Sequence, residues 1–287
     1  MEAIIGKILS DLGTFLFGPI MLAVFFGVGL YFTIRLKGIQ FTRFGTAFRE
    51  VVWNVEKKSD EGIGQIRSYK ALATALSSCV GNGNIVGVAG ATMSVAIRRG
   101  VQRGVFSNEA GTGSSAMVHA TAKVDIPVKQ ALYGIIEVFF DTFVICTFTA
   151  LIIMVSGVWN SGVTDGTVLA ATAFRQNLGG LGQVVIVISL ILFCLSTVLG
   201  WYTYGESAFA FLFGTHKVKI YRVLHMVICA LGALISVQLL WDAADVCNGL
   251  MAIPNLFSLI LFGGIVVKDT KHFFADYDHA LSKGKAK

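Results

Sequence analysis

Six apolar runs, each near the length of a bilayer crossing, divide this chain and leave it little choice of fold. The first covers about residues 14–36 and holds a single charge, Arg35. The others cover about 71–97, 130–158, 183–212, 221–240 and 250–267. A helix needs roughly 20 apolar residues to cross hydrocarbon, and none of these runs alternates with the period of a membrane barrel strand. Composition agrees, because only 14% of the residues are charged and the mean hydropathy is +0.72. Soluble domains carry about 25% charge, so this chain cannot clothe a water-facing surface. The expected class is an all-α integral membrane protein, one transmembrane domain over residues 1–287. Residues 14–36 are too long for the core of a cleavable signal and read as a true span.

The net charge of +6 reads as a topology signal. Its basic residues lie between spans and at the tail, not along one stripe, which argues against nucleic acid as a partner. Lys37, Arg43, Arg49, Lys57, Lys58, Arg67 and Lys70 follow the first span. They place that connection in the cytoplasm and the N-terminus outside. The lysine-rich tail places the C-terminus inside, in a multi-pass protein of the cytoplasmic (inner) membrane. One conflict stands out. Arg98, Arg99, Arg103, Lys123 and Lys129 make the next connection basic too, although a single crossing must change sides. Residues 71–97 are a re-entrant hairpin, or an odd number of crossings is absent, or one basic loop is translocated against the rule.

The second run is interrupted at its centre by Gly81-Asn82-Gly83-Asn84. A broken helix leaves N–H and C=O groups unpaired, which hydrocarbon does not tolerate unless protein, water, ion or substrate meets them. Broken helices give carbonyl oxygens to Na⁺ and half-helix N-termini to a carboxylate. The two glycines permit unusual backbone angles, and the two amides can coordinate a cation or meet an ammonium. That layout suits a secondary transporter of a small zwitterion. The plainer alternative is a close-packing Gly83-xxx-Gly87 with an asparagine bonding across helices. The fourth run repeats the theme. Ser196 and Thr197 offer hydroxyls, Gly200 falls one turn beyond Thr197 on the same face, and Trp201 can wall an apolar pocket. Local back-bonding and an interfacial tryptophan are the ordinary readings there. Glu137 and Asp141 share a face of the third run, where charge is costly. They serve coupling, pair with a basic group, or mark a span that begins later.

Other chemistries find little support. Cys79, Cys146, Cys194, Cys229 and Cys247 are scattered without a CxxC and read as small buried hydrophobes. The five histidines have no ligand spacing, HExxH is absent, and GTGSS lacks the GxSxG pattern. An enzyme is not expected.

Five stretches carry a family resemblance: ALATALSSCVGNGNIVGVAGA, IRRGVQRGVFSNEAGTGSS, AKVDIPVKQALYGIIEVFFDTFVICTFTALII, STVLGWYTYGE and GLMAIPNLFSLILFGG. Together they make the chain resemble the alanine or glycine:cation symporters, the sodium:alanine symporter family. The resemblance implies the inverted-repeat fold of the amino acid/polyamine transporter superfamily and sodium-coupled uptake of alanine or glycine. It implies amino-acid contacts at Gly81, Asn82, Gly83, Asn84, Thr197, Gly200 and Trp201. It implies sodium ligands at Ser196 and Thr197 and at the main chain near Val80 and Gly81. Sodium is then the coupling ion and no cofactor is implied. A typical member has more crossings than the six here, and the FWMW signature of its third helix is missing. The chain passes from the second-helix motif to the end of what resembles the seventh, with the joint between residues 88 and 98. The implied fold is thus partial, about six spans with broken helices. An absent block supplying an odd number of crossings also resolves the charge conflict. An isolated monomer would leave broken backbone facing lipid, which an oligomer would cover. The alternative function is a non-transporting membrane fragment or interaction subunit derived from such a symporter.

Overall fold

The computed structural model describes residues 2–53, 66–80, 84, 100, 104, 107–163 and 165–283, and they are mostly helical. Helix α1 runs over Glu2–Leu16 and α2 over Pro19–Arg35, bent by 40° where they meet. The bend has a local cause. Proline at the first position of α2 drives the preceding Gly18 to extended backbone (φ −69°, ψ 176°), so the first apolar run is two helices instead of one. Lys37 and Gly38 both take positive φ and turn the chain into the short α3 (Ile39–Thr42) and α4 (Phe44–Trp53).

Helix α5 (Ser68–Cys79) follows, and then α6 (Ser114–His119). Two-residue strands, β1 (Ile66–Arg67) and β2 (Ala122–Lys123), pair in parallel and clip the start of α5 to the chain leaving α6. Helix α7 (Pro127–Val138) passes without a break into a π-helical turn (Phe139–Cys146) and then α8 (Thr147–Ser156). The stretch between the apolar runs 130–158 and 183–212 is largely helical. Asp165 accepts from Thr167 N and Val168 N at 2.8 and 3.0 Å and starts α9, Gly166–Phe213. The capping carboxylate is the signal that composition concealed. Inside α9, Gly179 leaves helical geometry (φ 63°, ψ −145°), and residues 166–178 fold back on the rest. Helix α10 (Val218–Gly232) and the 46-residue α11 (Val237–Ser282) complete the chain. Asp242 and Asp245, which fall between the apolar runs 221–240 and 250–267, lie within α11.

Among the described residues, three helices are long and apolar enough to cross a membrane: Pro127–Ser156, Gly166–Phe213 and Val237–Ser282. The bent pair Ile4–Leu16 and Pro19–Arg35 makes up to four. Helices α2 and α10 bury no residue and expose Phe26, Leu30, Ile220 and Met226. Helix α2, apolar on nearly all sides, is suited to lipid, whereas α10 carries Lys219 and Arg222 and sets Tyr221 against Tyr202 of α9.

Packing is divided among small clusters. Leu16 and Phe17 of the α1 end meet Val246 of α11, where a Cβ on Gly249 would stand 2.8 Å from Leu16 Cβ. Ala47, Leu132, Ile136, Phe273 and Phe274 join α4, α7 and the end of α11. Beside them Arg43 donates to both oxygens of Asp278, at 2.7 and 2.6 Å, and lies 4.4 Å from the Phe274 ring centre. Ile153, Ala170, Ala173, Phe174 and Ile186 close the fold-back of α9. Ala71, Val118, Ala122 and Tyr204 bind α5, α6 and α9 into one knot, and the polar core of the molecule sits beside it.

Candidate functional site

The site assembles where α5 ends. Helix α5 stops at Cys79, and Val80, whose N–H bonds Leu76 O, leaves helical geometry (φ −74°, ψ 90°). Gly81, Asn82 and Gly83 lie outside the described residues, as does the expected joint between 88 and 98. Gly200 of α9 is pressed against this end. A Cβ there would fall 2.6 Å from Ser78 Cβ, 2.8 Å from its Cα and 2.9 Å from its N. Only a residue without a side chain lets the two backbones meet so closely. The interrupted run and the Thr197-to-Trp201 stretch, joined only by analogy in the sequence, are therefore in contact through Gly200.

The other residues of α9 divide in their behaviour. Thr197 Oγ1 is buried with no hydrogen-bond partner among the described residues, an open lone pair that suits an ion or ligand group. Ser196 Oγ instead donates to Phe193 O at 3.1 Å, the back-bonding that its helical setting favours. Trp201 is half-buried, edge-on to Tyr204, and packs on the knot of Ala71, Val118 and Ala122.

Asn84 is fully buried. Its amide donates to Asp141 Oδ1 at 2.6 Å and to Asp141 O at 3.1 Å. Asp141 is fully buried as well and lies in the π-helical turn, a rare backbone form enriched at functional sites. Ser107 Oγ donates to its carboxylate at 2.9 and 3.1 Å, and Thr142 Oγ1 at 3.1 Å. Glu137, four residues earlier, has a separate set of partners. Ser115 Oγ donates to its Oε2 at 2.9 Å, and His119 Nε2 stands 2.8 Å from the same oxygen. Gln130 Nε2 meets His119 Nδ1 at 2.7 Å. If that amide donates to Nδ1, the imidazole carries its proton on Nε2 and gives it to Glu137. Both carboxyls lie inside the protein.

Sequence reasoning missed Glu109. It sits in the polar connection SNEAGTGSS, is 1% exposed and takes a positive φ of 56°. A bulky residue in that conformation is strained and marks a constrained site. Ser114 Oγ donates to its Oε2 at 2.9 Å, and Thr112 Oγ1 bonds its carbonyl at 2.9 Å. Glu109 Oε1 is buried without a hydrogen-bond partner among the described residues, as is Glu137 Oε1. Burial pushes this carboxyl up, to about 8, and the negative Glu137 and Asp141 push the same way against the hydrogen bonds. The Tyr204 hydroxyl lies against the carboxyl and also shares a short hydrogen bond with Ser78 Oγ. Asn255 of α11 braces the loop, donating to Ala110 O and Gly111 O at 3.1 and 2.9 Å. The available signal was a glutamate in a glycine- and serine-rich turn, which spacing does not separate from an ordinary surface loop.

Among the described residues, no three His, Cys, Asp or Glu side chains converge as a metal centre. Oxygen donors and amides dominate the site, the chemistry that suits a hard monovalent cation and a zwitterion.

The chain is similar in sequence to several known transporters. A sodium/alanine symporter, AgcS, of Methanococcus maripaludis is 45% identical over 187 residues, 64% of this chain and 41% of that protein. An amino-acid carrier protein, AlsT, of Bacillus subtilis is 40% identical over 176 residues, 61% of this chain and 37% of its own length. An uncharacterized transporter of Haemophilus influenzae is 39% identical over 189 residues, covering 66% and 41%. The chain spans about two-fifths of the length of these curated relatives. The model of the sodium:alanine symporters matches residues 1–94 and again 88–287, so residues 88–94 are matched twice and no part of the chain is left out. By that match over its whole length, the chain belongs to the sodium:alanine symporter family.

Proposed function

We propose that this chain is a sodium-coupled carrier of alanine or glycine, built on a partial inverted-repeat transporter fold. One observation carries the reading: Gly200 seats α9 directly on the broken end of α5, with the partnerless Thr197 hydroxyl one turn away. In this reading Gly81 to Asn84 meet the amino acid, with Thr197, Gly200 and Trp201 on the opposite wall. Sodium takes oxygen from Thr197 and from main chain near Val80 and Gly81. Ser196 donates its proton to Phe193 O, which leaves its oxygen lone pairs free to face sodium. The chain is multi-pass in the cytoplasmic membrane, N-terminus outside and C-terminus inside, and no enzymatic chemistry or cofactor is assigned.

The test is uptake of labelled alanine into vesicles holding only this chain, with and without an inward sodium gradient. Gradient-driven uptake is expected, falling at least about tenfold in Thr197→Val, as loss of one charge-assisted contact implies. Uptake indifferent to sodium, or unchanged in the variant, would count against the assignment.

A second reading is favoured by the double match of residues 88–94. One short segment that resembles two parts of the family model is what a joint between two related helices leaves behind. A chain lacking helices between the two would be a non-transporting fragment or interaction subunit, associating with itself or with full-length relatives. It would show no uptake from folded protein and would copurify with a tagged relative.

A further inference from the structure

Helix α2 leaves hydrocarbon at a marked point. Its exposed apolar surface continues to Ile34, 65% exposed, and Arg35 follows with its guanidinium 5.8 Å from the Tyr31 ring centre. An arginine over a partly exposed tyrosine at the end of an apolar helix is the pairing expected where acyl chains give way to headgroups. Lys37 and Gly38 then turn the chain, with positive φ, into α3 and α4 at that level. The inner face of α4 supplies a second depth marker. Ala47, with Phe44 and Val51 beside it, packs on Leu132 and Ile136 of α7 and on Phe273 and Phe274 of α11. The last apolar run of the sequence ends at Val267. Those two phenylalanines therefore stand about 9–10 Å farther along the helix, close to the headgroup layer that borders the hydrocarbon.

The outer face of α4 does not suit water. Phe41, just before the helix, is 72% exposed and Val52 is 49% exposed. Phe48, stacked on Phe44, is exposed on the same side as Val52. Gly45 lies one turn before Phe48 on that face, and a Cβ there would touch nothing. Cations border these apolar groups. Arg35, Lys37 and Arg49 are exposed, and none of them forms an ion pair among the described residues. Arg43 is already held by Asp278. Glu50, the acidic residue of α4, is half-buried and close to Tyr133 of α7. Apolar side chains bordered by cations, at headgroup depth, complement a layer that is apolar beneath and negative above.

We propose that the outer face of α4, with Arg35, Lys37 and Arg49, is a docking surface for anionic phospholipid headgroups. The apolar side chains enter the boundary of the bilayer and the three cations meet the phosphates. This surface is independent of the transport site. It holds the connection between α2 and α5 against the membrane and, through Phe273 and Phe274, sets the level of α11.

Two measurements on the full chain test it. In the first, protein in detergent is equilibrated with equal amounts of phosphatidylglycerol and phosphatidylcholine, and the retained lipids are counted by mass spectrometry. Phosphatidylglycerol should be enriched, and Arg35→Gln, Lys37→Gln and Arg49→Gln should each lower the enrichment by up to about fivefold, as loss of one surface cation implies. Lys217→Gln with Lys219→Gln, at the turn between α9 and α10, should preserve most of it. Enrichment unchanged in the first three variants, or lost equally in the lysine pair, overturns the site. In the second, a dansyl amino acid replaces Gly45, where it displaces no neighbour, and the chain is placed in phosphatidylglycerol vesicles carrying nitroxide lipids. Quenching by a nitroxide near the headgroup is expected, with little quenching by aqueous iodide. Stronger quenching by iodide overturns the docking surface. Protection from both quenchers overturns it too, since protein, such as a second copy of this chain, would then cover the face. The dansyl measurement uses none of the glutamine variants, so it decides the matter even where one of them fails to fold.

Discussion

At the scale of single residues, the polar core depends on groups that cannot be exchanged without loss. Gly200→Ala places a methyl within 3 Å of Ser78 backbone, which flexible side chains cannot relieve. It should cost about 1–3 kcal/mol, seen as a lower melting temperature in detergent. His119→Ala removes the imidazole from buried Glu137 and should cost about 1–3 kcal/mol, since a buried carboxyl loses a hydrogen-bond partner. Adding Glu137→Gln to that variant should restore part of the loss, and a double-mutant cycle measures it. Glu109 predicts a pH dependence. Folding raises its affinity for a proton, so its contribution is complete below 4.5 and is lost as pH rises through about 8. Melting temperature should therefore fall between about pH 5 and about pH 9, less steeply in Glu109→Gln. A slope unchanged in that variant would assign the effect to other groups.

At the scale of elements, the turn-back within α9 depends on one glycine. Gly179 has φ 63° and ψ −145°, a region that side chains avoid. Gly179→Ala should loosen residues 166–178 from Ile186 by about 1–3 kcal/mol, with hydrogen exchange rising across that segment and not across α7. This element also shows what the sequence could reveal. Long apolar runs announced helices because hydrocarbon demands them; α5 ends at Cys79, and Gly81, Asn82 and Gly83, where the break was expected, lie outside the described residues. Residues 166–178 were hidden by their glycine, threonine and asparagine content, and their helix depends on the Asp165 cap and on contact with Ile186. The π-turn around Asp141 was hidden for a related reason. One extra residue in a helical turn follows from packing and buried hydrogen bonds, and periodicity over a short run does not register it. Of the site, Thr197 and Gly200 were legible from their spacing. Glu109 and His119 were not, because their importance lies in what the fold places around them.

At the scale of the whole molecule, the ends of distant helices are tied by an ion pair beside a small apolar cluster. Arg43 joins the approach to α4 to Asp278 near the end of α11, two hydrogen bonds backed by the Phe274 ring. Arg43→Ala should broaden the distance distribution between spin labels on α4 and on the last turn of α11. The pair is solvent-accessible, so global melting should change little. Orientation can be read with reporters: one active only outside the cell should be silent when fused after Lys287, and its activity there would reverse the assigned topology.

Helix α11 has a further property as a rigid body. Pro254 removes one backbone hydrogen bond inside it. The next residue, Asn255, grips the loop that carries Glu109. From Pro254 to Asp278 is about 36 Å along the axis, so a bend of about 5° swings the far end by about 3 Å. The Arg43–Asp278 contacts, at 2.6 and 2.7 Å, cannot stretch that far. Either the pair parts or α4 travels with the helix. The proline thus makes α11 a lever, with its fulcrum beside the acidic loop and its load at the opposite end of the protein.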